Sequence, residues 1–411
     1  MTQVALHEAT RALRAVAPTP HPQRIPLDET LGRTLAEPHA ARADVPGRDA
    51  AAMDGYACRA MDAGHATSAN PVSLEVVGAS RAGAAHHGTI GPGQAVAVAT
   101  GAVLPEGADA IAVIENAEPA GNAVRLFAPP EPKHVRRSGE DLERAVAALP
   151  AGLVLDPVHV GLLAAFGHGE VAVARRPRVR VLPTGPELVA PGGTPGPEQV
   201  FESNGALACA LLRAFGADPE QGPSVGDDEA AVRRAADQAG DAALLVTTGG
   251  ASVGRHDAVR RVLEADGDLR FGGIRVRPGR PAMMAVRDGV PWLALPGTPH
   301  AVAVLGTLLL GAWAHAALGR AGEPPTARRV AAVCDGPVRG APDRTSLWLA
   351  RTHTDGRGVR HAVPVPRPAA SRLTALADAD ALIEVPPGPD LAAGATVALV
   401  PFGRGALWAP V

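Results

Sequence analysis

The feature that most constrains the fold is the stretch from 241 to 254, which reads DAALLVTTGGASVG. Within it, Ala242–Thr247 is an apolar run without polar alternation, as expected of a strand that is buried on both faces of a parallel sheet. The run ends at Gly249-Gly250, and an amphipathic helical pattern follows. A strand, a glycine turn and a helix N-terminus together present backbone N–H groups to an anion. We therefore predict a parallel α/β sheet with an anion-binding turn at Gly249, Gly250 and Ser252, although an ordinary βα turn has the same local pattern.

The composition indicates a globular protein of several domains. The chain has 411 residues, with 39 Lys and Arg against 42 Asp and Glu, and a net charge of -3. That balance favours neither nucleic acid nor an anionic membrane as a partner. Its cysteines, Cys58, Cys209 and Cys334, are isolated and show no CxxC spacing. We therefore expect neither a disulfide framework nor a structural zinc site.

Two segments bear on the location of the protein. The first residues, MTQVALHEATRALR, lack the apolar region of a signal peptide. The segment Ala301–Leu318 is almost wholly apolar, but it contains His315 and two glycines and follows a strand-turn signal. A buried helix is therefore predicted there rather than a membrane span. We expect a cytoplasmic protein without a membrane partner.

The chain divides by pattern into α/β and β regions. Helical spacing predicts helices at Leu6–Val16 and Leu27–Ala36, and short strand-like runs from 72 to 128 predict a small β-barrel or sandwich. Strands then alternate with helices, which is typical of a doubly wound α/β domain. The predicted domains are a two-segment domain (1–45 and 139–174), an inserted β domain (46–138), a doubly wound α/β domain (175–322) and a C-terminal β-barrel (323–411).

Two helix starts in the α/β region carry polar side chains. Ser203 or Asn204 is the candidate cap of a helix over Asn204–Phe215. Asp227 opens the next helix, where an acid suits the positive end of the helix dipole. A capping role is therefore the alternative to a functional role for Asp227.

Nine short motifs follow one another across the chain. They are DVPGRDAAAMDGYA, TGAVLPEGADAI, RRSGEDL, TGPEL, ESN, GDD, TTGGASVG, RPGRP and LPGTP. In this order the chain resembles the molybdenum-insertase family, the molybdopterin molybdenumtransferases, which includes bacterial MoeA and the E domain of gephyrin. The resemblance implies an elongated two-segment domain, an inserted β domain, a molybdopterin-binding α/β domain and a C-terminal β-barrel. It also implies a homodimer whose active sites combine the α/β and C-terminal domains of one subunit with the inserted domain of the other.

The reaction that the resemblance implies converts adenylyl-molybdopterin and molybdate into molybdenum cofactor and AMP, with Mg²⁺ as the divalent cation. A hard cation on a pyrophosphate bond calls for carboxylate ligands. By motif position, the acids implied in catalysis are Asp54, Asp141, Glu187, Asp227 and Asp257, of which Glu187, Asp227 and Asp257 are the expected metal ligands. Each acid has a simpler alternative: Asp54 as a turn residue, for example, or Asp141 as an ion-pair partner of Arg136 or Arg137.

Molybdate is a tetrahedral dianion, which suits arginine forks and hydroxyl groups. The resemblance implies that an arginine of the C-terminal barrel, Arg351 or Arg344, supplies one of the cations. The complete implied substrate-binding set is Thr100, Gly249, Gly250, Ser252, Arg277, Arg280, Arg351 and Ser371.

Several positions depart from the family pattern. The two lysines of a KPGKP motif are arginines in a chain whose only lysine is Lys133. Where the family often has a basic residue, this chain has Gly273, and we expect Arg275 to compensate. Where the family has a serine, this chain has Ala301, and we expect His300 to replace the serine hydroxyl as a hydrogen-bond donor. A segment that is normally an apolar strand, 218–225, reads DPEQGPSV and predicts a weak strand.

These departures leave two alternatives to the transferase. One is a non-catalytic molybdopterin-binding or scaffold protein that hands cofactor to a client, with molybdoenzymes or other cofactor-pathway proteins as partners. The other is a metal-dependent nucleotide pyrophosphate hydrolase on the same fold, which would need the acids but not the arginines.

Overall fold

The computed structural model describes residues 3–146, 148–251, 257–366 and 373–403. In order along these ranges, the helices are α1 (Leu6–Ala15), α2 (Ala60–Ala63), α3 (Pro157–Ala165), α4 (Asn204–Ala214), α5 (Glu229–Asp237), α6 (Ala258–Asp266), α7 (Pro299–Leu305), α8 (Gly311–Ala317) and α9 (Thr374–Asp378). The strands are β1 (Pro22–Pro26), β2 (His39–Ala40), β3 (Ala50–Ala51), β4 (Gly55–Cys58), β5 (Val72–Ser80), β6 (Gln94–Val98), β7 (Ala110–Val113), β8 (Ala117–Ala120), β9 (Ala123–Leu126), β10 (Val135–Arg136), β11 (Ala148–Leu149), β12 (Glu170–Ala174), β13 (Arg178–Pro183), β14 (Leu188–Val189), β15 (Val200–Phe201), β16 (Asp218–Gln221), β17 (Leu244–Thr248), β18 (Asp268–Phe271), β19 (Val276–Arg277), β20 (Met283–Arg287), β21 (Val290–Leu295), β22 (Val330–Cys334), β23 (Thr345–Thr354), β24 (Arg360–Pro364), β25 (Ala381–Val385) and β26 (Thr396–Pro401).

The first helix and the first sheet join distant parts of the chain. Helix α1 buries Leu6 and Leu13 and packs against α8, as its amphipathic pattern predicts. Strand β1 pairs with β12 in antiparallel register, from Pro22 with Ala174 onward. The segments before and after residues 46–138 are therefore held together by a two-stranded sheet.

The prediction of a helix over Leu27–Ala36 is wrong. Only Leu27–Glu29 forms a short 3-10 turn. The chain reverses at Gly32, whose φ of +73° favours glycine, and Leu31 is 60% exposed. Leu35 is buried instead by a β-bridge to a strand that follows more than a hundred residues later. The leucine spacing matched a helix, but a non-local pairing determines the conformation.

Strands β4–β9 form an open, half-barrel sheet in the order β7-β4-β6-β5-β9-β8. Apolar side chains pack on both of its faces, with Ile111 and Val96 in one cluster and Leu74 and Leu126 in the other. The β content of this region is as predicted. The sheet is open rather than a closed barrel, since β7 and β8 lie at its edges.

The central sheet of the molecule is the predicted parallel α/β sheet. Its order is β16-β13-β17-β21-β20-β18. The first four strands are parallel to one another, β20 is antiparallel to β21, and β18 is antiparallel to β20. All five residues of β17 are buried, and the side chains of Val246 and Leu245 belong to different core clusters on the two faces. The doubly wound fold class is therefore confirmed.

The polar segment DPEQ does form a strand, β16, which pairs with β13 from Arg178 opposite Asp218 onward. It lies at the edge of the sheet, where a strand needs hydrogen-bond partners on one side only. Arg180 of β13 forms an ion pair with Glu220 across the two strands. The position at the edge explains why a polar sequence is tolerated there.

The apolar segment after β21 is a buried helix, as predicted. Helices α7 and α8 are joined by a π-helical turn at Gly306–Leu310. The stretch Pro299–Ala317 is long and apolar enough to cross a membrane, but 89% of an 18-residue apolar segment within it is buried inside the protein. Trp313 has no exposed surface. This is the setting of a core helix.

The C-terminal strands close into a barrel. The order β23-β24-β22-β26-β25 is completed by a second pairing of β25 with β23, which joins the two ends. Outside this ring, β19 pairs in parallel with the first residues of β23, Val276 with Thr345 and Arg277 with Ser346. The RPGRP segment therefore lies at the junction of the α/β domain and the barrel.

Candidate functional site

The candidate site lies at the carboxyl edge of the parallel sheet, where loops from neighbouring strands meet at Thr184. The Thr184 backbone N–H donates to the Thr248 carbonyl at 2.9 Å, and Thr184 forms a parallel bridge with Val225. The Gly249 N–H donates to the Leu295 carbonyl at 3.0 Å. The loops after β13, β16, β17 and β21 are thus hydrogen-bonded to one another, at the edge where α/β sheets bind ligands.

The two glycines of the turn permit this close approach. Gly249 has φ +99° and Gly250 has φ +62°, both in the left-handed region. A Cβ on Gly249 would overlap the Thr184 carbonyl, and one on Gly250 would lie 2.7 Å from Cγ2 of Val259. The turn is therefore packed against the strand on one side and α6 on the other.

Three of the predicted acids come together on these loops. Glu187 follows β13, and its carboxylate lies against Gly185, where a Cβ would be 2.6 Å from Oε2. Asp227 precedes α5, and Asp257 precedes α6 at the N-cap position. Helices α5 and α6 are joined at their starts by Arg261, whose Nε donates to Glu229 at 2.6 Å. Glu187, Asp227 and Asp257 therefore share one edge of the sheet.

The capping alternative for Asp227 is wrong. The neighbouring Asp228 caps α5, because its carboxylate accepts a hydrogen bond from the Ala231 N–H at 2.8 Å. Asp227 is exposed at the same edge. Its position is therefore not explained by helix capping.

The start of helix α4 is stabilised by a side chain that was not among the predicted caps. Ser203 occupies the N-cap position, as predicted, but its side chain makes no capping hydrogen bond; the carboxylate of buried Glu202 accepts from the Gly205 N–H at 2.6 Å instead. The Asn204 amide instead donates to the Gly297 carbonyl at 2.8 Å, which ties α4 to the loop after β21. Glu202 and Asn204 lie in the ESN motif and Thr184 lies in the TGPEL motif; these motifs signalled their importance but not their roles.

The RPGRP turn packs on α7 beside this edge. Gly279 has φ +106°, and a Cβ there would overlap Leu305 of α7. Arg277 is exposed and borders a cavity that also touches Trp348 of the barrel. Arg280 donates from Nε and Nη2 to the Gln3 amide oxygen at 3.1 and 3.0 Å, in the amide orientation that satisfies both groups.

Other basic residues have acid or N-terminal partners. Arg275 is directed at the N-terminal segment, with Nη1 donating to the Gln3 carbonyl at 2.9 Å, and its compensation for Gly273 stays a prediction. In the barrel, Arg344 pairs with Asp343 at 2.8 Å and Arg351 pairs with Asp378 at 2.7 Å. An anion at either arginine would have to compete with a carboxylate.

Asp54 and Thr100 lie on the half-barrel sheet and contact each other. Asp54 Oδ1 accepts from the Thr100 backbone N–H at 2.7 Å and from its hydroxyl at 2.8 Å. The backbone donor, followed by the hydroxyl, lowers the pKa of Asp54. Asp54 is thus held as a carboxylate on a different sheet from the three acids of the parallel-sheet edge.

Replacing Thr100 by Val should raise the pKa of Asp54 partway toward its ordinary value, because the hydroxyl donor is lost while the backbone donor remains. A lowered pKa stabilises the fold above the ordinary pKa, and that contribution is lost as the pH falls through the lowered value. As the pH falls, the contribution of Asp54 to stability should therefore be lost at a higher pH in Thr100→Val than in the wild type. Carboxyl NMR titration measures the pKa directly, with Thr89→Val, which removes a hydroxyl facing Glu106, as the control. An unchanged Asp54 pKa in Thr100→Val would contradict this account.

Of the remaining predicted residues, Asp141 lies in a surface loop and two serines lie outside the described part of the chain. Asp141 forms an ion pair with Arg136, which is the simpler alternative, while Arg137 pairs with Asp49 at 2.6 Å. Ser252 and Ser371 lie outside the described residues. His300 is the second residue of α7, and Ala301 beside it is buried.

Comparison with known proteins supports the arrangement of the whole chain. Residues 4–167 match the family model described as MoeA N-terminal region (domain I and II), residues 180–315 match a probable molybdopterin binding domain, and residues 331–402 match MoeA C-terminal region (domain IV). Similarity therefore extends over the N-terminal region, the parallel sheet and the barrel.

Full-length relatives give the same result. Molybdopterin molybdenumtransferase 1 of Mycobacterium tuberculosis (strain ATCC 25618 / H37Rv) is 31% identical over 409 residues, covering 94% of this chain and 96% of that protein. The molybdopterin molybdenumtransferase of Bacillus subtilis (strain 168) is 31% identical, covering 94% and 91%. The crystal structure of the molybdopterin biosynthesis MoeA protein from Pyrococcus horikosii is 30% identical, covers 98% of this chain and 100% of that one, and has a TM-score of 0.85. The chain belongs to the molybdopterin molybdenumtransferase family.

Proposed function

We propose that this protein acts in molybdenum cofactor biosynthesis, inserting molybdate into adenylylated molybdopterin with release of AMP. The single observation that carries the proposal is the meeting of Glu187, Asp227 and the Gly249-Gly250 turn on one edge of the parallel sheet, in a chain of this family. A phosphate-binding turn beside clustered acids suits a substrate with a pyrophosphate bond.

The turn after β17 is the proposed phosphate-binding element. Helices α4, α5, α6 and α7 all begin at the same edge of the sheet, so the positive ends of their dipoles face the site. The N–H groups near Gly249 and Gly250 can then hold a phosphate of the pterin substrate. Ser252 remains a proposed hydroxyl donor in this role.

The same edge suits Mg²⁺, which prefers oxygen ligands and near-octahedral geometry. Glu187, Asp227 and Asp257 are the residues that we propose to hold the cation, because all three stand on loops at the carboxyl edge of the sheet, beside the proposed anion-binding turn. When bound, the ion would polarise the phosphoryl oxygens of the pyrophosphate bond. Without a cation the carboxylates would repel one another and the phosphoryl groups.

Molybdate is the second substrate, and the junction of the α/β domain with the barrel is its proposed site. Arg277 and Arg280 flank a turn that is fixed by Gly279 against α7 and by the pairing of β19 with β23. Guanidinium groups held in this way can donate paired hydrogen bonds to an oxyanion. Arg351 and Ser371 are proposed to contribute from the barrel.

We also propose a homodimer with the domain boundaries given above, in which a second subunit brings Asp54, Thr100 and Asp141 to the site. Asp54 lies on the half-barrel sheet, and a neighbouring subunit could place that sheet over the carboxyl edge of the parallel sheet. A mass of about twice the 41.7 kDa of the chain in light scattering would support the dimer. We propose the cytoplasm as its location.

One assay distinguishes the transferase from the two alternatives, the scaffold protein and the pyrophosphate hydrolase. The relatives are named as transferases, which favours neither alternative. Purified protein is incubated with adenylyl-molybdopterin and Mg²⁺, with and without molybdate, and AMP is measured. We expect AMP release that depends on molybdate and yields active cofactor. Binding without AMP release would support the scaffold, and release that is indifferent to molybdate would support the hydrolase.

A further inference from the structure

A cluster of two histidines and an aspartate lies on the C-terminal barrel, away from the site described above. His353 of β23 and His361 of β24 are directly opposite each other in the antiparallel register. Asp335 immediately follows β22, which is hydrogen-bonded to β24. Three separate segments of the barrel thus bring two imidazoles and one carboxylate to the same surface.

The carboxylate of Asp335 lies beside the edges of both imidazole rings. Its Oδ1 is 2.7 Å from Nδ1 of His361, and its Oδ2 is 3.9 Å from Nε2 of His353. The two rings are stacked, with their centroids 5.0 Å apart. One ligand atom from each of the three residues can be chosen so that all lie within 4.8 Å of one another.

These separations are close to what a tetrahedral ion requires. Two donors that are each about 2.1 Å from Zn²⁺ lie about 3.4 Å from each other in a tetrahedral site. The two distances to Asp335 fall on either side of that value, and the stacked rings would have to rotate so that a nitrogen of each faces the same ion. We propose that Asp335, His353 and His361 form a binding site for a divalent transition metal such as Zn²⁺, with solvent completing the coordination.

A second carboxylate is placed to orient one of the ligands. Oδ2 of Asp355 is 3.6 Å from Nε2 of His361, the ring nitrogen that faces away from Asp335. Oδ1 of Asp355 is held by the backbone N–H groups of Arg357 and Val359, at 2.9 and 2.8 Å, in the turn between β23 and β24. Metal-bound histidines commonly donate their other N–H to a carboxylate, which fixes the tautomer and ring orientation. Asp355 is therefore a positioning residue for this site.

The cluster lies far along β23 from the RPGRP turn, and its chemistry differs from that of the proposed Mg²⁺ site. Thr345, at the start of β23, pairs with the strand that leads into the RPGRP turn, whereas His353 is near the other end of β23. Eight residues of extended strand separate them, or about 26 Å. Imidazole ligands favour Zn²⁺ and similar ions, whereas Mg²⁺ prefers sites made of oxygen ligands alone.

The site is open to solvent, so a metal can reach it. The side chains of His353, His361 and Asp335 are 52%, 21% and 32% exposed. The chain's cysteines are buried, which makes them poor competitors for an added ion. A metal titration of the intact protein is therefore expected to report on this cluster.

The test is a titration of the full-length protein with Zn²⁺ in the presence of excess Mg²⁺, followed by calorimetry, with Co²⁺ absorption as a second measurement. We expect one Zn²⁺ per chain, and at least a ten-fold loss of affinity in His353→Ala and in His361→Ala. Asp355→Asn should weaken binding by about 10- to 100-fold without changing the stoichiometry. His65→Ala, which removes an exposed histidine in the turn after α2, is the matched control and should bind as the wild type does.

Three outcomes would overturn the proposal. The first is a wild-type protein that binds no Zn²⁺, in which case the cluster is an ion-pair network only. The second is binding that persists in folded His353→Ala and His361→Ala variants, as judged by circular dichroism. The third is an equal loss in His65→Ala. None of these results bears on the proposed transferase activity, since AMP release is measured in a separate assay with Mg²⁺ and without added Zn²⁺.

Discussion

Replacing Asp227 by Asn should reduce molybdate-dependent AMP release by about 100-fold or more, while leaving the chain folded. The substitution keeps the size of the side chain and removes the charge that we propose to hold Mg²⁺. Asp227 is exposed, and Asp228 rather than Asp227 caps α5, so the substitution leaves the helix cap intact. AMP release measured against Mg²⁺ concentration, together with thermal unfolding, separates the two effects.

The neighbouring residue supplies the matched control. Asp228→Asn removes the same charge one position later, and asparagine caps a helix about as well as aspartate. It should therefore retain activity and stability close to those of the wild type. Full activity in Asp227→Asn, or an equal loss in both variants, would remove Asp227 from the proposed metal site.

The same variant tests whether the active site is shared between subunits. If each site combines Asp54 from one subunit with Asp227 from the other, a mixed dimer of Asp54→Asn and Asp227→Asn chains contains one intact site. Random reassociation of two inactive homodimers would then restore about a quarter of the wild-type activity, because half of the dimers are mixed and each has one of two sites intact. No recovery in dimers shown to be mixed would place Asp54 in the same chain's site or outside it.

The parallel sheet could be predicted from sequence because its central strand carries the signal locally. The run at 242–247 is apolar without alternation and is bounded by glycines, so its burial on both faces follows from its own residues. Strand β16 carries no such signal: its polar residues extend only because β13 offers a partner at the sheet edge. The helix predicted from the leucine spacing at 27–35 does not form, because pairing with residues distant in sequence determines the conformation there.

The candidate site was predictable to the extent that its residues stand in motifs. Glu187, Asp227 and the glycine turn could be selected by motif position, and the structure brings their loops to one edge. Thr184 stands in the TGPEL motif, but its role could not be predicted, because it depends on contacts among loops far apart in sequence. The cluster of His353, His361 and Asp335 has no recognisable spacing at all; it exists only through the register of β23 with β24 and the pairing of β24 with β22.

Replacing Gly249 by Ala should destabilise the protein by about 3 kcal/mol, the sum of left-handed backbone strain and steric overlap. At φ +99° an alanine is strained, and its Cβ would overlap the Thr184 carbonyl and lie 2.9 Å from the Thr184 Oγ1. The carbonyl belongs to the backbone and is held by the sheet, so it cannot rotate away as a side chain could. Relief of the overlap would separate the turn from β13 and widen the proposed phosphate-binding loop.

Gly289→Ala measures the cost of left-handed backbone strain in the absence of steric overlap. Gly289 lies in the hairpin between β20 and β21 of the same sheet, with φ +81°, and a Cβ there would meet no atom within 4 Å. It should cost about 1 to 2 kcal/mol, from the left-handed backbone alone. Guanidinium unfolding followed by tryptophan fluorescence compares the two, since Trp292 Nε1 donates to Thr247 on β17 at 3.1 Å. If Gly249→Ala costs no more than Gly289→Ala, the turn is not tightly held by Thr184, and the geometry proposed for phosphate binding fails with it.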